Sequence, residues 1–155
     1  MTVQINGKAT KTRSLFRMEV GVGINIRAEP ERIWALLTNA GDFPRWNSTV
    51  RSIEGSIALG QTIQLKTITS DRVFKLKVTQ WQPNAVMLWQ DGAAPMFKGE
   101  RRYTLTPKSD GTTDFAMVEV FSGLMLPMIA GSLPDFRPTF ERYAADLKQE
   151  AERGG

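Results

Sequence analysis

Arg101 and Glu119 are the residues of this sequence with the clearest potential for chemistry, because each interrupts a row of alternating side chains that is otherwise apolar. Between residues 96 and 107 the parity that buries Phe97, Tyr103 and Leu105 also turns Arg101 inward. Between residues 112 and 122 the parity that buries Phe115, Met117 and Phe121 turns Glu119 inward. A lone charge in an apolar interior is costly, so the two are expected to pair. Such a pair can orient a polar group on a greasy ligand, or polarise a carbonyl and move a proton. The second strand leaves its direction open. Ala116, Val118 and Val120 make an equally apolar row, and if they face inward Glu119 faces solvent. Tyr103 and Gln90 are the remaining groups able to offer a hydrogen bond from an inward row.

Much chemistry is excluded. The chain has no His and no Cys, which removes the commonest general base, the Ser-His-Asp and Cys-His nucleophile arrangements, disulfides and thiolate ligation. Any catalysis must run on carboxylates, Lys, Tyr, Ser/Thr or water. No glycine-rich phosphate loop or metal-ligand spacing occurs, so neither a cofactor nor a metal is expected. The net charge is +4, and it is unevenly placed: residues 1–17 hold Lys8, Lys11, Arg13 and Arg17 and no acid, while residues 18–155 hold 16 basic and 16 acidic residues. The sequence thus divides into a basic arm over 1–17, expected to be flexible, and one neutral domain over 18–155. Lys66, Lys75 and Lys77 read as a solvated strand face. Without interleaved aromatics they make no nucleic-acid platform. Residues 1–14 have no apolar run of the length a secretion signal needs, and no 18-residue apolar stretch exists anywhere, so no membrane span is expected and a cytoplasmic location is.

These residues must be positioned by a sheet and one long helix. Residues 18–27 alternate Met18, Val20, Val22, Ile24 and Ile26 against polar or glycine positions. Pro30 opens a short helix with Ile33, Trp34, Leu36 and Leu37 on one face, and residues 42–47 form a single turn carrying Phe43 and Trp46. Strands follow over 49–57, 61–70, 73–82, 85–91, 96–107 and 112–122, joined by short turns at Asp71-Arg72, Pro83-Asn84 and 109–111; this spacing implies an antiparallel meander. Residues 123–131 are an apolar connection bracketed by glycines. Ser132 and Asp135 resemble a capping box. Residues 134–153 place Phe136, Phe140, Tyr143, Ala144 and Leu147 on one helical stripe, with Pro138 implying a bend or a delayed helix start near Arg137.

The order of these elements, with Ile24-Asn-Ile-Arg-Ala28, Pro30-Glu31, Ile33-Trp34, Asn39, Phe43-Pro44, Trp46-Asn47, Gly55 and Gly60, resembles the START/Bet v 1-like superfamily in its bacterial polyketide cyclase/dehydrase-type branch. The resemblance covers residues 20–153. It implies an α+β helix-grip fold: a curved, roughly seven-stranded antiparallel sheet wrapped around the C-terminal helix, two short helices between strands 1 and 2, and a hydrophobic cavity between sheet and helix. Members bind lipids, sterols, polyketides, quinones or plant hormones, and some are cyclases, aromatases or chaperone partners. The fold licenses no single activity.

Alternation assigns side chains to that cavity: Ile63 and Leu65, then Phe74, Leu76 and Val78, then Leu88 and Gln90, then Phe97, Arg101 and Tyr103, then Met117, Glu119 and Phe121. The apolar connection adds Met125 and Met128, the helix adds Phe136 and Phe140, and Phe43 and Trp46 lie near the mouth. An apolar wall with a few polar groups is the composition of a small-molecule site. The expected function is binding of a mid-sized hydrophobic molecule, lipid-like, aromatic or polyketide-like, by a monomer or homodimer. Two alternatives stand beside it. One is a cyclase, aromatase or dehydratase working through Arg101 and Glu119. The other is an interaction module of the chaperone-partner kind, with a patch around Trp81 or Trp89 on the outer face of the sheet.

Overall fold

Alternating apolar rows need a second layer to cover them, and the order of elements supplies one. A computed structural model describes residues 2–153. Its strands are β1 (Thr10–Arg13), β2 (Arg17–Ile26), β3 (Val50–Glu54), β4 (Thr62–Thr67), β5 (Phe74–Gln82), β6 (Val86–Ala93), β7 (Phe97–Pro107) and β8 (Thr113–Ser122). The helices are α1 (Pro30–Thr38), α2 (Phe43–Trp46), α3 (Leu126–Ile129) and α4 (Arg137–Arg153). All eight strands form one sheet in the order β1-β2-β8-β7-β6-β5-β4-β3, antiparallel throughout. The meander from β3 to β8 is closed by β2 returning to pair with β8, and α1 and α2 bridge from β2 to β3. The α+β helix-grip architecture is therefore present, with one strand more than expected.

The extra strand comes from the basic arm, which differs here from the expected free terminus. Thr10–Arg13 pairs with Met18–Gly21, and Ile5 bridges Gly23 in parallel. Gly23 has no side chain, and Val3 and Ile5 press against it; a Cβ there would meet the Ile5 side chain at 2.6 Å. β2 is consequently buried on both faces over residues 18–23, glycines included, which simple alternation does not foresee.

α4 starts at Arg137, with Pro138 in its first turn where no backbone donor is lost. The capping box does not form. Ser132 Oγ donates to the Ile129 carbonyl at 2.7 Å, and Asp135 accepts from the Arg137 backbone N–H at 3.1 Å. The stripe Phe140, Tyr143, Ala144, Leu147 and Ala151 is buried against the sheet. Each large apolar member contributes roughly 1.5–3 kcal/mol by leaving water. The far end of α4 is fixed polar group by polar group. Glu152 accepts from the Arg27 backbone N–H at 2.9 Å and from Lys148 Nζ at 2.6 Å, while Lys148 also donates to the Asn25 carbonyl at 2.9 Å.

The interior is divided. A large cluster runs from α1 and α2 across the sheet to Phe140, Tyr143, Ala144 and Leu147. A smaller one holds Met18, Phe121 and Leu126, with Phe97, Ile129, Leu133 and Phe136 half-buried around it, under α3.

Candidate functional site

β7 and β8 pair so that Arg101 stands directly opposite Glu119. Both side chains point towards α4. Arg101 Nη2 donates to Glu119 Oε2 at 3.2 Å, and each side chain keeps 15% of its surface open. On the other flank Arg101 is opposite Trp89 of β6. Above it, the guanidinium lies 5.2 Å from the Phe140 ring centre and 5.9 Å from that of Tyr143, so the aromatic stripe of α4 supplies cation–π contacts where water is displaced. One pleat further along β7, the Tyr103 hydroxyl is 3.0 Å from the Tyr143 hydroxyl. The pair thus sits where the large and the small hydrophobic clusters meet, with Phe140 in the first and Phe136 touching both.

Electrostatics fixes what these groups can do. Burial acts against the Arg101 charge, but Glu119 and the phenol oxygens of Tyr103 and Tyr143 outweigh it, and the guanidinium pKa is raised. Burial pushes the Tyr103 phenol up, and the nearby Arg101 offsets only part of this. Tyr143, buried and beside Tyr103, is raised well above the usual tyrosine value. A permanently charged guanidinium and two neutral phenols orient an acceptor oxygen or stabilise charge; they do not exchange protons near neutrality. Among the described residues three further side-chain donors are buried without a hydrogen-bond partner, the indole N–H groups of Trp89 and Trp46 and the side-chain amide of Asn47. Trp89 packs on Tyr103 with ring centres 4.9 Å apart, and Trp46 lies edge-on to Tyr143 at 6.2 Å.

Of the residues expected to line a cavity, Phe43, Trp46, Ile63, Leu65, Val78, Tyr103, Met117, Phe121 and Phe140 are buried on the α4 side of the sheet or beneath its helices. Phe74, Leu76, Phe97, Met125 and Phe136 are half-buried. Glu119 takes the inward direction, and Ala116, Val118 and Val120 line a cleft on the outer face.

Three expectations are corrected. Leu88 and Gln90 face outward: Leu88 lines the outer cleft with Arg102 and Thr104, while their neighbours Met87 and Trp89 are buried. In β6 five of six residues from Val86 to Asp91 are uncharged and bulky or amphipathic, so either parity looks apolar; Trp89, which fills more space than Leu88, takes the interior. Met128 is 79% exposed, and Leu126 is the buried anchor of that connection, because the single turn of α3 can turn only one side inward. Finally, neither Trp81 nor Trp89 makes an outer patch. A register shift between Val78 and Gln80 reverses the parity of β5, and Trp81 packs edge-on against Trp34 at 5.0 Å. Tyr143 is the partner sequence reasoning passed over as a site residue; its spacing of three from Phe140 was the available signal.

The space between the sheet and α4 is largely occupied by Tyr103, Phe115, Met117, Phe140 and Tyr143, all buried. Open clefts lie elsewhere. One of about 520 Å3 is lined by Arg27, Glu29, Arg32 and the 110–112 turn, and the outer-face cleft holds about 350 Å3. Among the described residues no group of three or more His, Cys, Asp or Glu could hold a metal ion, and no helix is long and apolar enough to cross a membrane.

Comparison with known proteins bears on this frame. Residues 17–152 match the family described as polyketide cyclase/dehydrase and lipid transport. No curated protein sequence matches. Solved structures do, and the three that follow are below 25% identical and so alike in fold alone. A START superfamily protein from Mycobacterium smegmatis is 19% identical at a TM-score of 0.64, covering 88% of this chain and 99% of its own. The Aha1 dimer from Colwellia psychrerythraea is 23% identical at 0.65, covering 88% and 97%. Norcoclaurine synthase from Thalictrum is 12% identical at 0.67, covering 90% and 97%. A family match over almost the whole folded chain, on a sheet that grips its last helix, means that this protein belongs to the polyketide cyclase/dehydrase and lipid transport family.

Proposed function

We propose that this protein binds a mid-sized hydrophobic molecule carrying a hydrogen-bond acceptor, lodged between the two hydrophobic clusters with its polar group at Arg101. The observation that carries this reading is the Arg101–Glu119 pair itself, a charge pair at 3.2 Å set among aromatic rings yet still 15% open on each side. A buried ion pair adds little stability over well-packed apolar residues, so this pair points to a role beyond packing. The unpartnered indole N–H groups of Trp89 and Trp46 extend the excess of donors in the same aromatic cluster. A carbonyl, quinone or carboxylate oxygen would answer it.

The filled interior around Tyr103, Phe115 and Met117 favours the half-buried end for the ligand. Phe97, Phe121, Met125, Phe136 and Phe140 form its wall, and the 123–131 connection is its door. Ile63, Leu65, Val78 and Met117 serve as plain core. Binding is driven by burial of apolar area, about 25 cal/mol per Å2, and orientation comes from Arg101. The raised pKa values of Tyr103 and Tyr143 favour binding over acid–base turnover.

Native mass spectrometry of protein purified from its own host tests this, with the released molecule then titrated against variants. The expected result is a co-purifying small molecule whose affinity falls at least tenfold in Phe136→Ala and Arg101→Met. Leu147→Ala, deep in the core, should cost roughly 2–5 kcal/mol of stability and leave affinity intact. Equal stability losses at Phe136 and Leu147 with unchanged binding would defeat the assignment.

A further inference from the structure

One end of the sheet is left apolar by three loops that hydrogen-bond to one another. The β1–β2 turn meets the chain after β8 where Gly123 N donates to the Phe16 carbonyl at 3.1 Å. The β6–β7 turn joins them through Leu124 N to the Pro95 carbonyl and Met125 N to the Met96 carbonyl, both at 2.9 Å. The side chains these loops present are large and apolar, and they are open to solvent: Leu15 at 62%, Phe16 at 45%, Met96 at 51%, Leu124 at 57% and Met128 at 79%. Scattered surface leucines need no explanation, but five large apolar residues on three adjoining loops form a patch.

Basic residues gather around that patch. Residues 122–134 contain no ionisable side chain, and residues 92–99 contain Lys98 and no acid. Lys11 and Arg13 stand exposed on β1, and Arg17 begins β2 at the foot of the same turn. Of the acids that flank these loops, Glu19 is held by Arg17, Glu100 by Lys98 at 2.7 Å and Asp135 by Arg137 at 2.9 Å. The four basic residues of the arm equal the whole net charge of +4, and Arg17 among them is paired with Glu19. Because β1 pairs with β2, two of them, Lys11 and Arg13, are fixed beside the apolar loops.

We propose that this end of the molecule docks on anionic lipid bilayers, the loop tips entering the headgroup boundary and Lys11 and Arg13 meeting the lipid phosphates. Apolar insertion combined with basic contacts is the physical signature of interfacial binding. A second copy of the chain fits less well. A symmetric contact would set Lys11 and Arg13 against their own copies, and like charges across an interface oppose association. The docking surface lies over α3 and the small cluster, so a bound bilayer would face the door of the proposed ligand site. The docking itself does not depend on what the interior holds.

Cosedimentation of the full chain with vesicles decides the matter. Vesicles of mixed phosphatidylglycerol and phosphatidylcholine should bind the protein at least tenfold more tightly than phosphatidylcholine alone, and 0.5 M salt should abolish the difference. Leu124→Asp with Met128→Asp, and separately Lys11→Glu with Arg13→Glu, should each lower binding at least tenfold. Lys75→Glu with Lys77→Glu makes the same charge change on a distant exposed strand face and should alter binding less than twofold. All three pairs are exposed, and circular dichroism identical to the parent confirms folding. Binding that ignores lipid charge, or that falls equally with the Lys75 and Lys77 changes, overturns the proposal. So does a concentration-dependent dimer in analytical ultracentrifugation that the Asp variants dissolve, since the patch would then be a self-association surface.

Discussion

At the scale of single residues, the two tyrosines report most directly on the interior. Their hydroxyls, 3.0 Å apart, are each other's partner, Tyr103 on the sheet and Tyr143 on the helix. Removing one leaves a buried hydroxyl unsatisfied, whereas removing both leaves nothing to satisfy. Tyr103→Phe and Tyr143→Phe are each expected to cost about 1–2 kcal/mol, and the double variant clearly less than their sum. Urea unfolding of all four proteins measures this; strict additivity would mean the hydroxyls do not depend on each other. Residue-level reading from sequence worked where a row contained one unambiguous apolar set, as with Phe97, Arg101 and Tyr103. It failed in β6, where Met87, Leu88, Trp89 and Gln90 satisfy either parity and only neighbouring volume selects Trp89 for the core.

At the scale of elements, α4 is held at its far end by Glu152. Burial acts to raise its carboxyl pKa, but the Arg27 backbone N–H and the Lys148 and Arg27 side chains overcome this and hold it at about 2, against an ordinary 4.5. Since the folded-state value is the lower, the carboxylate stabilises the fold above pH 4.5, and that contribution is lost as pH falls from about 5 towards 2. Glu152→Gln should therefore destabilise the protein by roughly 1–3 kcal/mol at pH 7 and much less at pH 3. Urea midpoints at the two pH values check it, and an equal loss at both would show that packing, not charge, matters there. The loop after β8 rests on a different constraint. Gly123 has φ of 128°, and a Cβ there would collide with the Met96 carbonyl. Gly123→Ala should unseat the hydrogen bonds that tie this loop to the β6–β7 turn, seen as faster amide exchange at Leu124 and Met125.

At the scale of the whole molecule, the arm joins the sheet and so belongs to the fold. Without residues 2–13, β2 would become the edge, with Gly21 and Gly23 uncovered and a row of backbone groups free to pair with other chains. A chain lacking residues 2–13 is expected to be less stable and to aggregate at concentrations where the full chain stays dispersed. Light scattering during a thermal ramp measures both. An unchanged transition would show the arm to be dispensable packing. The same placement converts a compositional fact, +4 within residues 1–17, into a located one, with Lys11 and Arg13 beside the apolar loops.

The sequence by itself determined the class of architecture, because period-two rows separated by turn residues and one period-3.6 stripe admit few arrangements. It also determined the chemistry left out, since a chain without His or Cys cannot use them. The delayed start of α4 at Arg137 was legible in Pro138, whose ring cannot sit deeper in a helix. Tertiary structure decided the rest. The bulge that turns Trp81 inward, the burial of both faces of β2, and the meeting of Tyr103 with Tyr143 all depend on contacts between residues far apart in the chain. Local pattern carries no record of such contacts. The Arg101–Glu119 pair stands between the two: alternation named both residues, and only the register of β7 against β8 set one directly across from the other.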